Sequence, residues 1–239
     1  MSTFGSFGSF GLPRRAFLFC ALLSGSLLAA PTSPAGNAKD PPWEKFDEDD
    51  GIAVFRREVP GSPVIALRGE GVVDAPILRV VSVLVDTSRA TEWIDSLAET
   101  KIIRKISDDE FIHWDHIATP VILKDRDFVV DIKLSLNPKD KQISLDYHSV
   151  YDSGAPKTDY VRGELSAGTF RLTSIDGGKK TRFLCEVMAD PKGSVAKWIV
   201  NLFQKKWPHK TIQSLRKQVA KPDIKDQPRL KELLTQAGY

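Results

Sequence analysis

Between residues 100 and 190 the apolar positions recur at every second residue, the period of a β-strand with one buried face. The clearest segment is RDFVVDIKLSL (126–136), whose apolar face is the set Phe128, Val130, Ile132, Leu134 and Leu136. Its other face is mostly polar. The same pattern occurs in TKIIRKIS, EFIHWDHIA, QISLDYHSVYD, GTFRLTSID and TRFLCEVMA, with turn-like SDDE, NPKD and DGGK between some of them. One-sided alternation predicts an antiparallel sheet with one apolar and one solvated face.

The segments before this region predict two strands and two helices. GIAVFRREV (51–59) and VIALRGEGVV (64–73) flank a Pro-Gly-Ser-Pro turn, as in a hairpin. In DAPILRVVSVLVD (74–86) the apolar period lengthens to that of a helix. TSRATEWI (87–94) predicts a second short helix.

After a turn at DPKG (190–193), the sequence pattern predicts one long helix with Ser194 as its N-cap. Its first half carries a broad apolar face, made of Val195, Trp198, Ile199, Leu202 and Phe203. Pro208 predicts a kink or a restart, because it lacks a backbone N–H. A short helix is expected in the tail at 228–239. Strands, helices, a long meander and a final helix define an α+β fold without βαβ units.

Composition narrows the function only slightly. The 239 residues carry a formal net charge of +3, which is too small to indicate nucleic-acid binding by itself. Hydrophobic residues at 41% and charged residues at 27% are typical of a soluble globular protein.

The N-terminus predicts an export signal. Arg14-Arg15 precede the apolar run 16–30, which is shorter than the ~20 residues of a membrane-spanning helix. The arginine pair resembles the twin-arginine export motif, and cleavage is expected near Ala35 or Ala38. We therefore expect a periplasmic or secreted protein, with an uncleaved anchor as the alternative. Cys20 lacks a lipobox, so no lipoprotein is predicted.

Little in the mature chain indicates catalysis or a metal site. Its only cysteine, Cys185, alternates with apolar residues and is expected to be an inert buried thiol. In HWDH (113–116) a strand directs His113 and Asp115 to one face and His116 to the other, so the three cannot converge on a metal. There is no nucleophile elbow or Gly-rich phosphate loop. We expect no enzyme, metal or cofactor; the alternative is an enzyme acting on a hydrophobic substrate.

Four segments, in the right order, resemble one family. They are VLVDTSRATEWIDSLAETKII (83–103), DRDFV (125–129), YVRGELSAGTFRLTSI (160–175) and DPKGSVAKWIVN (190–201). Together they resemble START domains, lipid-transfer modules related to the steroidogenic acute regulatory protein. The likeness runs from about Trp43 to Lys221, nearly the whole mature chain.

The resemblance implies a helix-grip fold, in which a curved antiparallel sheet wraps around the C-terminal helix and a tunnel holds one lipid or sterol. It divides the chain into an export signal and linker (1–38), a START-like domain (39–221) and a tail (222–239). Several family members carry a basic residue at the position of Ile132 and an acidic partner near 113–115, so the polar anchor differs here. The implied ligand-binding residues are Trp114, Arg126, Phe128, Val130, Tyr147, Trp198, Ile199, Leu202 and Phe203. For Arg126, a structural role remains the other interpretation.

The basic stretch 205–221 has two interpretations. It is either the solvated side of the helix or a surface that docks transiently on anionic lipid head groups through Lys205, Lys206, Trp207 and Lys210. An exported location argues against nucleic acid as a partner. We expect a monomer that binds a lipid or sterol-like molecule. The alternative is an envelope protein with a collapsed cavity that binds a partner protein.

Overall fold

The computed structural model describes residues 41–62, 64–119, 123–193 and 197–239, and for 197–204 it describes the backbone alone. The export signal and linker predicted for 1–38 lie outside the described residues. So do the side chains of Trp198, Ile199, Leu202 and Phe203, whose predicted ligand contacts stay predictions.

Ten strands form one sheet. They are β1 (Glu44–Asp49), β2 (Ile52–Arg57), β3 (Ala66–Val73), β4 (Leu97–Lys105), β5 (Glu110–Ile117), β6 (Arg126–Asn137), β7 (Gln142–Ser149), β8 (Val161–Arg162), β9 (Glu164–Ile175) and β10 (Lys180–Asp190). The order is β1-β2-β3-β10-β9-β7-β6-β5-β4, and all of these neighbours are antiparallel. The two-residue β8 pairs in parallel with the start of β6. The predicted antiparallel α+β architecture is confirmed.

The helices lie where the periodicity predicts them. They are α1 (Ile77–Val85), a 3-10 helix (Thr87–Glu92), α2 (Lys197–Val219) and α3 (Pro228–Gln236). A second, three-residue 3-10 helix (Asp176–Gly178) lies in the turn predicted at DGGK. Pro208 does not restart the long helix, because α2 continues through it as one element. Among the described residues, no helix is both long and apolar enough to cross a membrane.

Two glycines of β3 let α2 lie close to the sheet. A Cβ on Gly69 would lie 2.8 Å from the Cβ of Pro208, and one on Gly71 would lie 3.2 Å from Cγ2 of Ile212. Larger side chains at these positions would push the helix away. Pro208 and Ile212 are buried as a result, and this contact fixes the C-terminal half of α2 on the sheet.

Apolar cores lie on both faces of the sheet. The larger core lies on the face toward α2, which we call the inner face, and it also includes residues of α1 and α3. A smaller core lies on the opposite, outer face and consists of Ile112, Trp114 and Val129 with Ile103, Val150, Ala155 and Tyr160. The prediction of a solvated outer face was therefore wrong at this place. The loop at 150–160 contributes three of these side chains and covers β5 and β6 there.

Candidate ligand site on the inner face

The inner face is unevenly filled. On β7, β9 and β10 the inner-face side chains of Ile143, Leu172 and Phe183 have no exposed surface. On β6, Ile132 and Leu134 share that face but remain only half-buried. Helices α1 and α2 pack on the inner face but leave the apolar side chains of Ile132 and Leu134 partly accessible. We call these two positions the accessible strip along β6, and they are the candidate ligand site.

Aromatic rings from the sheet and from α2 border this strip. The ring centroids of Tyr147 and Phe170 are 5.1 Å apart, and Phe170 stacks on Trp207 of α2 at 6.5 Å with a 12° angle between the planes. All three rings are half-buried. Trp207 is thus turned toward the core, a placement that does not fit its predicted contact with a membrane surface.

Glycines make room for two of the predicted ligand-binding rings. A Cβ on Gly168 would lie 2.0 Å from the ring of Tyr147, and a Cβ on Gly163 would lie 2.4 Å from the ring of Phe128. The Tyr147 hydroxyl donates a hydrogen bond to the Glu186 carbonyl oxygen at 3.2 Å. Burial raises the pKa of Tyr147 well above its ordinary value, so the phenol stays neutral and can present only a dipole to a ligand.

Polar groups occur on the same face of β4 and β5. The Thr100 hydroxyl donates to the carboxyl group of Asp115, and His113 lies two residues before Asp115 on the same strand face. Burial raises the pKa of Asp115 to about 6, against the opposing effect of the bond from Thr100. Burial also lowers the pKa of His113 to about 4. The site therefore has one apolar strip and one polar patch whose carboxyl group has a pKa raised by burial.

The titration of Asp115 predicts a pH-dependent stability difference. Burial favours the neutral acid, so this group stabilises the fold fully below the unfolded pKa near 4 and loses that contribution as the pH rises through about 6. Asp115→Asn has no charge to bury. It should therefore exceed the wild type in free energy of unfolding by on the order of 2–3 kcal/mol near pH 7.5 and by little near pH 4.

Urea denaturation at both pH values measures this difference. The lowered pKa of His113 adds stability as the pH rises from about 4, but it does so in both proteins and cancels in the comparison. Asp146→Asn changes an exposed carboxylate on β7 and serves as the matched control. If the wild type instead had the higher free energy of unfolding near pH 7.5, Asp115 would be ionised and well paired in the folded chain.

The remaining predicted ligand residues lie in different places. Val130 is buried on the inner face, with 4% exposure, next to His113 on β5. Arg126 is buried, and its guanidinium donates to the Lys124 carbonyl and, at 3.4 Å, to the Pro191 carbonyl. Arg126 thereby ties the start of β6 to the segment before α2, in keeping with its structural interpretation.

Trp114 lies on the outer face. Its indole Nε1 donates to Oδ2 of Asp127 at 2.8 Å, and its ring packs with Ile112 and Val129. This placement, opposite to that of Val130, does not fit the predicted ligand contact.

Asp127 joins two of the recognised sequence segments. Arg162 donates to its two carboxylate oxygens at 2.7 and 2.8 Å, and Thr158 adds a longer bond at 3.3 Å. Burial alone would raise the pKa of Asp127, but the bonds from Arg162, Trp114 and Thr158 outweigh it and hold the pKa below its usual value. DRDFV and VRG thus meet in a structural contact outside the ligand strip.

The lysines of the predicted docking surface differ in their contacts. Lys205 and Lys206 are exposed, while Lys210 bonds both carboxylate oxygens of Asp95 at 3.1 Å. Lys205 also lines a groove of about 400 Å³ at the edge of the sheet, with Pro41, Pro42, Glu44, Arg56, Arg57, Glu58 and Ile65. Contact of Lys205 and Lys206 with a membrane stays a prediction.

The titratable side chains in the described part of the chain do not form a metal site. No set of three or more His, Cys, Asp or Glu side chains there could hold an ion. Cys185 is fully buried, and burial raises the pKa of its thiol to about 12, so it is a poor nucleophile. His116 bonds Asp125 at 2.8 Å and stacks on Tyr160 on the outer face, away from His113.

Sequence reasoning missed several residues that border the strip. Phe170 could have been found from its alternation with Leu172, and Trp207 from its helical position four residues after Phe203. Thr100 had no such signal, because its place beside Asp115 depends on the pairing of β4 with β5.

The antiparallel sheet, with α2 packed on its inner face, defines a helix-grip protein. A START domain model matches residues 34–222, which is most of the chain. The chain therefore belongs to the START domain family.

Individual relatives are consistent with this membership. An uncharacterized protein of Pseudomonas aeruginosa is 25% identical over 193 residues, covering 80% of this chain and 93% of that protein. START domain-containing protein 10 of human and mouse is 28% identical over 128 residues, and the match spans 54% of this chain and only 43% of those relatives.

Solved structures share the fold. Human StAR-related lipid transfer protein 5 superposes with a TM-score of 0.69 at 21% identity, covering 74% of this chain and 86% of that one. The STAR-related lipid transfer protein of Xanthomonas axonopodis (fragment 25–204) superposes with a TM-score of 0.65 at 25% identity. It covers 75% of this chain and 99% of that fragment.

Proposed function

We propose that this protein binds a single lipid or sterol-like molecule between the sheet and α2, and carries or senses it in the cell envelope. The observation that supports this most directly is the accessible apolar strip along β6, where Ile132 and Leu134 stay half-buried inside the grip. Family membership supports lipid binding in general, and the names of the solved relatives state lipid transfer for those proteins.

The energetics of such a site favour an apolar ligand. Burying roughly 500 Å² of ligand surface at ~25 cal/mol per Å² corresponds to about 12 kcal/mol before the costs of association. Asp115, Thr100 and His113 supply the few polar groups that orient a head group in a mainly apolar pocket. Binding therefore requires no charged partner on the ligand.

The sequence supports the proposed location and mode of action. An export signal would place the domain in the periplasm or outside the cell, where the exposed Lys205 and Lys206 could meet anionic head groups during ligand exchange. We propose a monomeric, non-enzymatic carrier. The raised pKa of Asp115 beside the strip favours the alternative, an enzyme acting on a hydrophobic substrate.

Native mass spectrometry of the domain from residue 39, purified from cells and incubated with a total lipid extract, tests the proposal. We expect one bound molecule per chain, removable by organic solvent and recovered unchanged. A bound molecule recovered chemically altered would favour the enzyme. A chain that stays ligand-free in the presence of phospholipids, fatty acids and sterols would refute the carrier.

Exchange of the ligand requires an opening, and we propose that α2 moves about Pro208. Amide hydrogen exchange across 197–219 should then slow when a lipid is bound, most strongly before Pro208, because the C-terminal half is held on Gly69 and Gly71. Equal protection in the free and the lipid-bound protein would contradict this movement.

A further inference from the structure

Helix α3 is attached on one side to α1. The backbone N–H of Gln227 donates to the Ser82 hydroxyl at 2.9 Å, and Arg79 forms an ion pair with Asp226 at 3.2 Å. Ser82 is buried, so the hydrogen bond lies in the interior, while the ion pair is partly exposed. The tail therefore begins in a fixed position beside α1.

The other side of α3 is attached to the turns of the sheet. Arg229 donates to the Asp108 carbonyl and to Oδ1 of Asp109, both at 2.6 Å, in the turn between β4 and β5. The Tyr239 hydroxyl donates to the Gln142 carbonyl at the turn between β6 and β7. The tail thus bridges from α1 to the β4–β7 side of the sheet, across one end of the grip.

The inward side of α3 is apolar. Leu230 and Leu234 each have 4% exposure and belong to the core cluster against which Leu134 and Leu136 of β6 also pack. At about 3.3 Å per residue, Phe128 at the far end of β6 lies roughly 26 Å from Leu136. Val130 is buried, so the accessible part of the inner face, Ile132 and Leu134, lies at the end of β6 nearer Leu136 and adjoins α3.

We propose that α3 is the floor of the ligand site, and that Leu230 and Leu234 limit the length of the molecule that fits. This inference rests on the proposed function and specifies its ligand range. The match to the family model ends at residue 222, so α3 lies beyond the matched part of the chain. A ligand that enters at the end near Phe128 would extend along β6 until it meets these two leucines.

A series of straight-chain fatty acids from twelve to twenty-two carbons tests the floor, because the length changes while the head group stays constant. In the full chain, affinity should rise by about fourfold per methylene until the chain reaches the floor, and then fall. Leu234→Ala removes three carbons from the floor. The fatty acid that binds most tightly should therefore be longer by up to three carbons. Native mass spectrometry of mixtures of competing fatty acids measures this preference.

Two further variants keep the test decisive. Ile52→Ala creates a comparable cavity in a fully buried position of β2, on the opposite arm of the sheet, and should leave the best-bound length unchanged. Arg229→Ala releases the exposed tether of α3 without opening the core. It should broaden the length range even if Leu234→Ala fails to fold.

The outcomes separate the two proposals. If the wild type and all folded variants prefer the same length, the floor is refuted while lipid binding stands. If the wild type binds fatty acids with no optimum of length, the floor is refuted as well. If the wild type binds no fatty acid, the floor fails as proposed, and the experiment with total lipid extract decides whether the carrier function fails with it.

Discussion

Leu134→Arg should reduce lipid uptake at least about thirtyfold and leave the fold intact, because a charge placed beside a buried apolar ligand costs 2 kcal/mol or more. Leu134 lies on the accessible strip and is only half-buried, so in the ligand-free protein the arginine can extend its charge toward water. Native mass spectrometry with a lipid extract measures the uptake, and a thermal melt measures the stability.

The neighbouring residue provides the matched control for this experiment. Ser135 is exposed on the outer face of the same strand, so Ser135→Arg adds the same charge without approaching the ligand and should bind lipid like the wild type. If Leu134→Arg instead unfolds the domain, the strip is collapsed core. That outcome would favour an envelope protein that binds a partner protein through its surface.

Asp127→Asn should lower the free energy of unfolding by about 2–3 kcal/mol, somewhat less than the ~3–5 kcal/mol that breaking a fully buried ion pair costs. The carboxylate has 1% exposure and accepts bonds from Arg162, Trp114 and Thr158. An amide turns its NH₂ group toward some of these donors and leaves them without an acceptor. The half-exposed side chain of Arg162 can regain water, which keeps the loss moderate.

Urea denaturation near pH 7 measures this loss, and Glu99→Gln in the exposed pair with Lys101 is the control, with an expected change below about 1 kcal/mol. The pKa of Asp127 is lowered in the folded chain, so its stabilisation is present above the unfolded pKa near 4 and is lost in more acid solution. The two proteins should therefore converge as the pH falls well below 4. If the difference in free energy of unfolding between the two proteins stayed constant at all pH values, the loss would come from packing and not from charge.

The periodic part of the sequence predicted most of the fold. The alternation in 126–136 and the helical period in 74–86 correspond to β6 and α1 to within a few residues. Strand β1 was missed because EKFDED is an edge strand with a single apolar residue, Phe46, and edge strands need no alternation. The two-residue β8 is too short to produce any pattern.

The site was predicted less completely, because its members meet through long-range contacts. Phe128 and Val130 lie on the inner face, as the alternation of their strand predicts, and their contact with a ligand stays a prediction. The sequence analysis assigned Trp114 to the ligand site, but this side chain is buried on the outer face by residues 150–160. The sequence of β5 alone gives no signal of that contact. The bond between Thr100 and Asp115 depends on strand register, which periodicity does not specify.

The uneven filling of the inner face has a consequence for how the molecule unfolds. The arm formed by β2, β3, β10 and β9 is packed solidly against α1 and the C-terminal half of α2, whereas β6 to β4 line the accessible strip. Local stability should therefore differ between the two arms in the ligand-free protein, with the loose arm opening first. A bound lipid would complete the hydrophobic core of the loose arm, so that the ligand acts as a component of folding and the two arms melt together.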